Sequence, residues 1–397
     1  MRVTATRPHT PRLTATLREK ESVTPLELFF DLVFVLALTQ CTALMAKEPT
    51  WEGLAKAMLI LAVLWWSWGG YAWLTSLVDP EEGIVRIAMF GAMAAFLVAA
   101  LCVPEAFDET ALLFAVAYAG VRAAHIVLFA IGSRGDANLR ASVTSLAVST
   151  AIGVGLLVGA SFADGLTQGA IWAVAILLDY GGPAFFGVEG WKMVPSHFAE
   201  RFGLIVIIAL GESIVAIGVG SDSEVNAGIV AGAILGVVVC GALWWLYFDV
   251  VALVAERRLS KAAPGRERNS IGRDSYGYLH LPMVAGVVLL ALGFKKTLGH
   301  VGEALEVVPA TAMLGGTALY LLAHVAFRLR NVHRFSLQRL LCAIALVALI
   351  PAAVELPALA TLGILAALLV VLIVYESVRF AELRDRMRHQ VAEGQTA

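Results

Sequence analysis

A chain of 397 residues in which 59% are hydrophobic and 15% charged has more apolar surface than one water-soluble core can bury, since about 25% charged residues is usual for a soluble domain. Its net charge of −2 says little, because where the charges fall matters more than their sum. The four cysteines (Cys41, Cys102, Cys240, Cys342) stand far apart in apolar runs, and so support neither a disulfide framework nor a zinc site.

The first 22 residues are basic and polar and read as a cytoplasmic arm. After them, apolar runs long enough for a hydrocarbon layer of about 30 Å recur along the chain. Bounded by Gly, Pro and charge clusters, they give twelve expected helices: 26–46, 53–78, 84–103, 111–131, 140–159, 167–187, 199–220, 226–255, 278–298, 309–327, 336–354 and 357–379. The expected fold class is therefore all-α, a polytopic helical membrane protein. A cleavable signal peptide competes for the first run, but that run is long and contains Glu27 and Asp31.

Lys and Arg cluster in the N-terminal arm, after the eighth run (Arg257 to Arg273), after the tenth (Arg328 to Arg339) and after the last (Arg379 to Arg388). The segments "PEAFDET" and "SDSEVN" carry none. The positive-inside rule then puts both termini in the cytoplasm, with the chain in the plasma membrane. Contact with anionic lipid explains these basic loops without a nucleic-acid partner.

The two halves resemble each other. "ELFFDLVFVLALTQ" from Glu27 matches "ERFGLIVIIALGES" from Glu200 with a one-residue gap. "LWW" at Leu64–Trp66 recurs at Leu243–Trp245, and "AAH" ending at His125 is answered by "LAH" ending at His324. These matches suggest two parallel six-helix halves, 23–190 and 191–380, followed by a cytoplasmic tail, 381–397.

Charged groups inside such runs are costly and usually have a reason, about 2.5–3.5 kcal/mol each on the insertion scale. Glu212 lies deep in the seventh run, and the gapped repeat puts Gln40 in the equivalent position of the first half. Glu27 and Asp31, four residues apart, share one helix face. Their counterparts are Glu200 and Leu204, and Arg201 is the cation expected to neutralise Glu27 or Asp31 across the halves. A static interhelical ion pair is the plainer account of that group.

Arg122 and His125 share another face and suggest the basic side of a cavity; Asp179, Asp249, His280 and His324 are the other intramembrane polar groups. A histidine there can carry protons, or simply bond a neighbouring helix. No HxxH, HxxxH or ExxH spacing supports a metal site. Asp179 directly precedes "YGGP", which suggests a broken or kinked helix. Gly228, Gly232 and Gly236 form a GxxxGxxxG face for close helix packing. The tryptophans of "LWWSWGGYAW" and "LWWLYF" read as interface anchors, or as walls of a cavity.

"TPLELFFDLVFVLALTQ" (Thr24–Gln40) and "HFAERFGLIVIIALGES" (His197–Ser213) resemble the two signature segments of the bacterial low-temperature-requirement A family. The resemblance runs from about Thr24 to Phe380. It implies a multi-pass membrane protein, and picks out Glu27, Phe30, Asp31, Gln40, Glu200, Arg201, Phe202, Gly203, Gly211, Glu212 and Ser213.

The function expected from these residues is a secondary transporter or ion-coupled permease. Glu212 would be the protonatable or cation-binding group, and Glu27, Asp31, Glu200 and Arg201 a charged gate. Arg122, His125 and His324 would be further cavity residues, with Asp179 and Asp249 on the pathway. Its partners would be membrane lipid, a proton or cation and a small solute, with no cofactor. The alternatives are a membrane-embedded enzyme acting on lipid, and a non-transporting stability or sensor protein.

Overall fold

The computed structural model describes residues 22–81, 83–185, 187–188, 190–220 and 225–381. The basic arm up to residue 21 and the tail from residue 382 lie outside them. The described residues fold into α1 (Pro25–Lys47), α2 (Trp51–Leu77), α3 (Gly83–Cys102), α4 (Ala111–Gly132), α5 (Ala137–Ala160), α6 (Gly165–Phe185), α7 (Pro195–Gly220), α8 (Ala227–Phe248), α9 (Val251–Lys261), α10 (Arg266–Ile271), α11 (His280–Gly299), α12 (Val307–Val332), α13 (Leu337–Ala353) and α14 (Ala358–Arg379). A π-helical turn, Gly272–Tyr278, leads into α11.

Among the described residues, ten helical stretches are long and apolar enough to cross a membrane; two of these include α9 and the α10–π segment as extensions of α8 and α11. Helices α6 and α13 occupy the other two expected segments without meeting that measure.

Local sequence fixes where α1 begins. Thr24 is its N-cap, accepting from the Glu27 N–H at 3.4 Å, while Glu27 Oε2 accepts from the Thr24 N–H at 2.8 Å. Pro25 takes the first helical position, where no N–H is needed. This capping box satisfies two orphan donors and also fixes the direction of the Glu27 carboxylate.

In the first group of helices, α1 packs on α2 and α3, α3 on α4, α4 on α5, α5 on α6, and α2 on α6. In the second, α7 packs on α8 and α11, α11 on α12, α12 on α13, α13 on α14, and α8 on α14. The groups meet where α1 lies against α7 and α11, and where α2 lies against α7. Helix α9 packs on both α7 and α12, at the face that holds the start of α1 and the end of α14; this is the terminal face below.

Glycines set the closest crossings. A Cβ on Gly286 would collide with the Gly316 carbonyl, and one on Gly316 would sit 2.7 Å from the Gly286 carbonyl. The expected GxxxGxxxG face does pack closely: Gly228 meets Val301, Gly232 meets Leu298, and Gly236 meets Ile217.

The break expected at "YGGP" does not occur, since α6 continues through Pro183 to Phe185. Two carbonyls of that last stretch are taken by the π segment. Tyr278 donates to the Tyr180 carbonyl at 2.6 Å, and Arg273 to the Pro183 carbonyl at 3.1 Å. Partners supplied from outside the helix let it run to its end in apolar surroundings.

Candidate functional site

The seam between α1 and α7 carries polar groups at two levels. The lower level, near the terminal face, is built from two i,i+4 pairs, Glu27 with Asp31 and His197 with Arg201. Each pair lies on one face of its helix, and the two faces meet. All four residues are 0% exposed.

Arg201 Nη1 donates to Glu27 Oε1 at 3.1 Å and to Thr75 Oγ1 at 3.0 Å, and Arg201 Nη2 donates to Asp31 Oδ1 at 2.5 Å. The Trp68 indole N–H donates to the same Asp31 oxygen at 2.8 Å. His197 Nε2 lies 2.8 Å from Glu27 Oε1; a carboxylate only accepts, so this nitrogen carries a proton. Around the cluster stand Phe34, Trp65, Trp68 and Phe202, with Trp68 and Phe202 crossing edge to face at 5.0 Å. The guanidinium sits over the Trp68 ring at 5.7 Å.

Two carboxylates, a guanidinium and an imidazole thus meet in one buried cluster. Charges in low dielectric are stable only when paired and hydrogen-bonded, so each group here depends on the others.

The upper level is Glu212. The Thr39 hydroxyl lies 2.6 Å from Glu212 Oε2 and 3.1 Å from the Val35 carbonyl. One hydroxyl has one proton to give. If Thr39 donates to Glu212, the acid can be ionised or carry a proton on its other oxygen; if it donates to Val35, the short contact needs a proton from Glu212. The site can thus exist in two protonation states without moving a backbone atom. Next to it, the Ser213 hydroxyl donates to the Val287 carbonyl of α11 at 3.2 Å.

Between the levels the seam is apolar. Asp31 and Thr39 are eight residues apart, about 12 Å along a helix. Phe34 and Leu38 on α1, and Ile205 and Ala209 on α7, fill that interval and are all buried. Above Glu212, at the face opposite the terminal one, a polar vestibule of about 630 Å³ is lined by Ala43, Lys47, Val219, Lys295, His300 and Glu303, among others. Its wall residues Ala43 and Val219 follow Thr39 and Glu212 by four and seven residues, one to two turns up the same helices.

The other expected site residues fall elsewhere. Glu200 is exposed and accepts from the Val23 N–H at 3.0 Å, outside the buried cluster. Thr39, and not Gln40, faces Glu212. Arg122 lies 3.5 Å from Asp179 and donates to Thr150 Oγ1 at 2.5 Å, and it lines a cavity of about 70 Å³ with His125, Trp66 and Trp73. His324 is remote from that cavity. It takes a hydrogen bond from Arg339 Nη1 at 2.7 Å on its Nδ1, so its proton is on Nε2. Arg339 also forks onto Glu376, Nε to Oε1 at 2.9 Å and Nη2 to Oε2 at 2.8 Å. His280 bonds Tyr247 at 2.8 Å and the Ser275 carbonyl at 2.9 Å. Asp249 follows α8 and lines a cleft at the terminal face.

Sequence reading missed His197, Thr39 and the Arg339–Glu376 pair. The signal for His197 was present: it stands four residues before Arg201, the same spacing that joins Glu27 to Asp31.

The chain matches the model of the bacterial low temperature requirement A protein family over residues 22–374. That span takes in both levels of the seam and all fourteen helices but the end of the last. The chain belongs to this family. An LtrA-family relative from Rhizobium meliloti (strain 1021), described as an uncharacterized protein, is 31% identical over 310 residues, which cover 74% of each chain. No solved structure matches.

Proposed function

We propose that this LtrA-family protein is a secondary transporter that couples movement of a small solute to a proton or cation. Two protonatable levels on the α1–α7 seam, separated by a buried apolar layer, carry this reading. The upper carboxylate, Glu212, lies below a polar vestibule and has two protonation states available through Thr39. The lower cluster of Glu27, Asp31, His197 and Arg201 closes the seam near the terminal face and brings an imidazole and two carboxyl groups, all able to carry protons, together. An ion taken at Glu212 would reach the other side only if the apolar layer opened while the lower cluster rearranged. That is alternating access around a central site.

In this reading the helices form twelve spans in two parallel repeats. The six helix pairs described for the first group each have a counterpart in the second, which supports it, although α2 also packs on α4 and α8 on α11 without a counterpart. The terminal face would be cytoplasmic, with the protein in the inner membrane. Arg257, Arg258, Lys261, Arg328, Arg330 and Arg379 lie toward that face, against Lys47, Lys56, Lys295 and Lys296 toward the other, which supports the orientation.

A structural reading also has an observation behind it. Arg201 is bonded by both carboxylates, Thr75 and the Trp68 face at once, as a static lock between helix groups would be. Proton flux under an imposed pH gradient, in liposomes holding purified wild type or Glu212→Gln, separates the two. Flux in the wild type that is lost in a variant of unchanged melting temperature supports the transporter. Equal flux in both would remove Glu212 from any relay.

A further inference from the structure

The cleft at the terminal face has no part in the seam. It holds about 270 Å³ between the ends of α8, α12 and α14 and the start of α9. Leu246, Val250, Val254, Phe327, Ile373 and Phe380 are among the apolar residues of its wall. Trp245, also on the wall, is 39% exposed.

Its charged groups are unequal. Arg328, Arg334 and Arg339 line it against Asp249 and Glu376, a balance of +1. Arg339 is fully engaged, with Nε and Nη2 on Glu376 and Nη1 on His324. Arg328 is half-buried and Arg334 exposed. Among the described residues, neither has an ion-pair partner. Two guanidinium groups with free N–H forks therefore stand at the polar end of an apolar slot. Arginine forks suit phosphate oxygens, which they bind through paired hydrogen bonds. The apolar wall suits a chain of methylenes. Cationic clusters at membrane level draw anionic lipid.

We propose that this cleft binds an anionic phospholipid, its phosphate held by Arg328 and Arg334 and one acyl chain lying along Val250, Val254 and Ile373. Arg339 is a positioning residue: its pairing with Glu376 and His324 ties α12, α13 and α14 together and so fixes the cleft's shape. The slot's length of apolar wall selects a lipid over free phosphate, which would gain only the two arginines.

The test is native mass spectrometry of the full-length protein in a zwitterionic detergent, titrated with phosphatidylglycerol and separately with inorganic phosphate. The expected result is retention of phosphatidylglycerol and no retention of phosphate. Arg328→Ala/Arg334→Ala should weaken lipid binding about thirtyfold. Arg258→Ala, on the same face and paired with Glu267 at 2.9 Å, should leave it unchanged. Val254→Trp keeps every charge but fills the slot, and should also release the lipid. Undiminished lipid retention in the double variant overturns the proposal. So does phosphate binding as tight as the lipid's, which would make the cleft a site for a free anion.

Discussion

Arg201 on α7 holds Asp31 on α1 at 2.5 Å, and does so where both residues are entirely buried. Desolvating two charges costs several kcal/mol each, and their attraction offsets this only where the remaining donors and acceptors are also used. Here most are: Asp31 Oδ1 also takes the Trp68 N–H, and Arg201 also reaches Glu27 and Thr75. Asp31 Oδ2 and Arg201 Nε are left without a hydrogen bond. The contact is therefore strongly directional, and it has one side open to change.

Substitutions in this cluster should be unequal. Arg201→Met leaves two buried carboxylates facing each other and is expected to cost about 3–5 kcal/mol, the range for removing one partner of a buried pair. Asp31→Asn removes one buried negative charge and keeps a polar group beside Trp68, so its cost should be well below that. Adding Asp31→Asn to Arg201→Met should recover part of the loss. Thermal melting of the purified variants measures all three. If Asp31→Asn melts as low as Arg201→Met, repulsion between the carboxylates is not what Arg201 offsets.

Thr39 and Glu212 should behave as one unit. Thr39→Val deletes the hydroxyl at 2.6 Å from the carboxylate, leaving a charged acceptor without its donor at a cost of about 1–3 kcal/mol. In a Glu212→Gln background the same change should cost less, with a coupling of about 0.5–3 kcal/mol for groups in contact. A double-mutant cycle on melting temperature gives that number. Additive effects would mean that the two side chains do not meet.

What the sequence disclosed follows from what each signal depends on. The helices are legible because apolar runs and their Gly, Pro and charge boundaries are local: the structure begins α1 at Pro25 and α7 at Pro195, within a few residues of the expected starts. Arg201 as partner of Glu27 or Asp31 was legible because an intramembrane charge must find its opposite, and few were on offer. The pairing Thr39–Glu212 was not. It depends on the rotation of α1 against α7, which no local pattern carries. Arg339–Glu376 was missed for another reason, since both residues sit close to helix ends where charges are ordinary. Of the break or kink suggested by "YGGP", the break does not occur, and the partners for its carbonyls come from Arg273 and Tyr278, about ninety residues on in the chain.

Gly286 should tolerate no side chain. It crosses α12 so closely that an added methyl would strike the Gly316 carbonyl, and overpacking of this sort costs about 1–3 kcal/mol. Gly315, one residue away, is the control: an added Cβ there has Thr311 Cγ2 as its close neighbour, at an ordinary 3.6 Å. Gly286→Ala should lower the melting temperature and Gly315→Ala should not. Matching losses would indicate that the crossing is not the cause, since helix propensity alone favours Ala at both positions.

The start of α5 offers a pH dependence with a definite sign. Asp136 caps that helix, accepting from the Asn138 and Leu139 N–H groups at 3.1 Å, and lies 2.6 Å from Lys192 Nζ. The Lys192 hydrogen bond, followed by the cap, holds its carboxyl below the usual value of 3.8. A group whose pKa is lower when folded stabilises the fold above its unfolded pKa, and that contribution fades as pH falls through the folded one. Asp136→Ala should therefore melt below wild type at pH 7, with the gap narrowing as the pH drops below about 3.8. Adding salt at pH 7 should narrow it as well, but only in part. Screening weakens the exposed Lys192 pair, whereas the hydrogen bonds to the helix N–H groups persist. A gap that stays constant from pH 7 to pH 3 would show that Asp136 contributes through its backbone conformation and not through its charge.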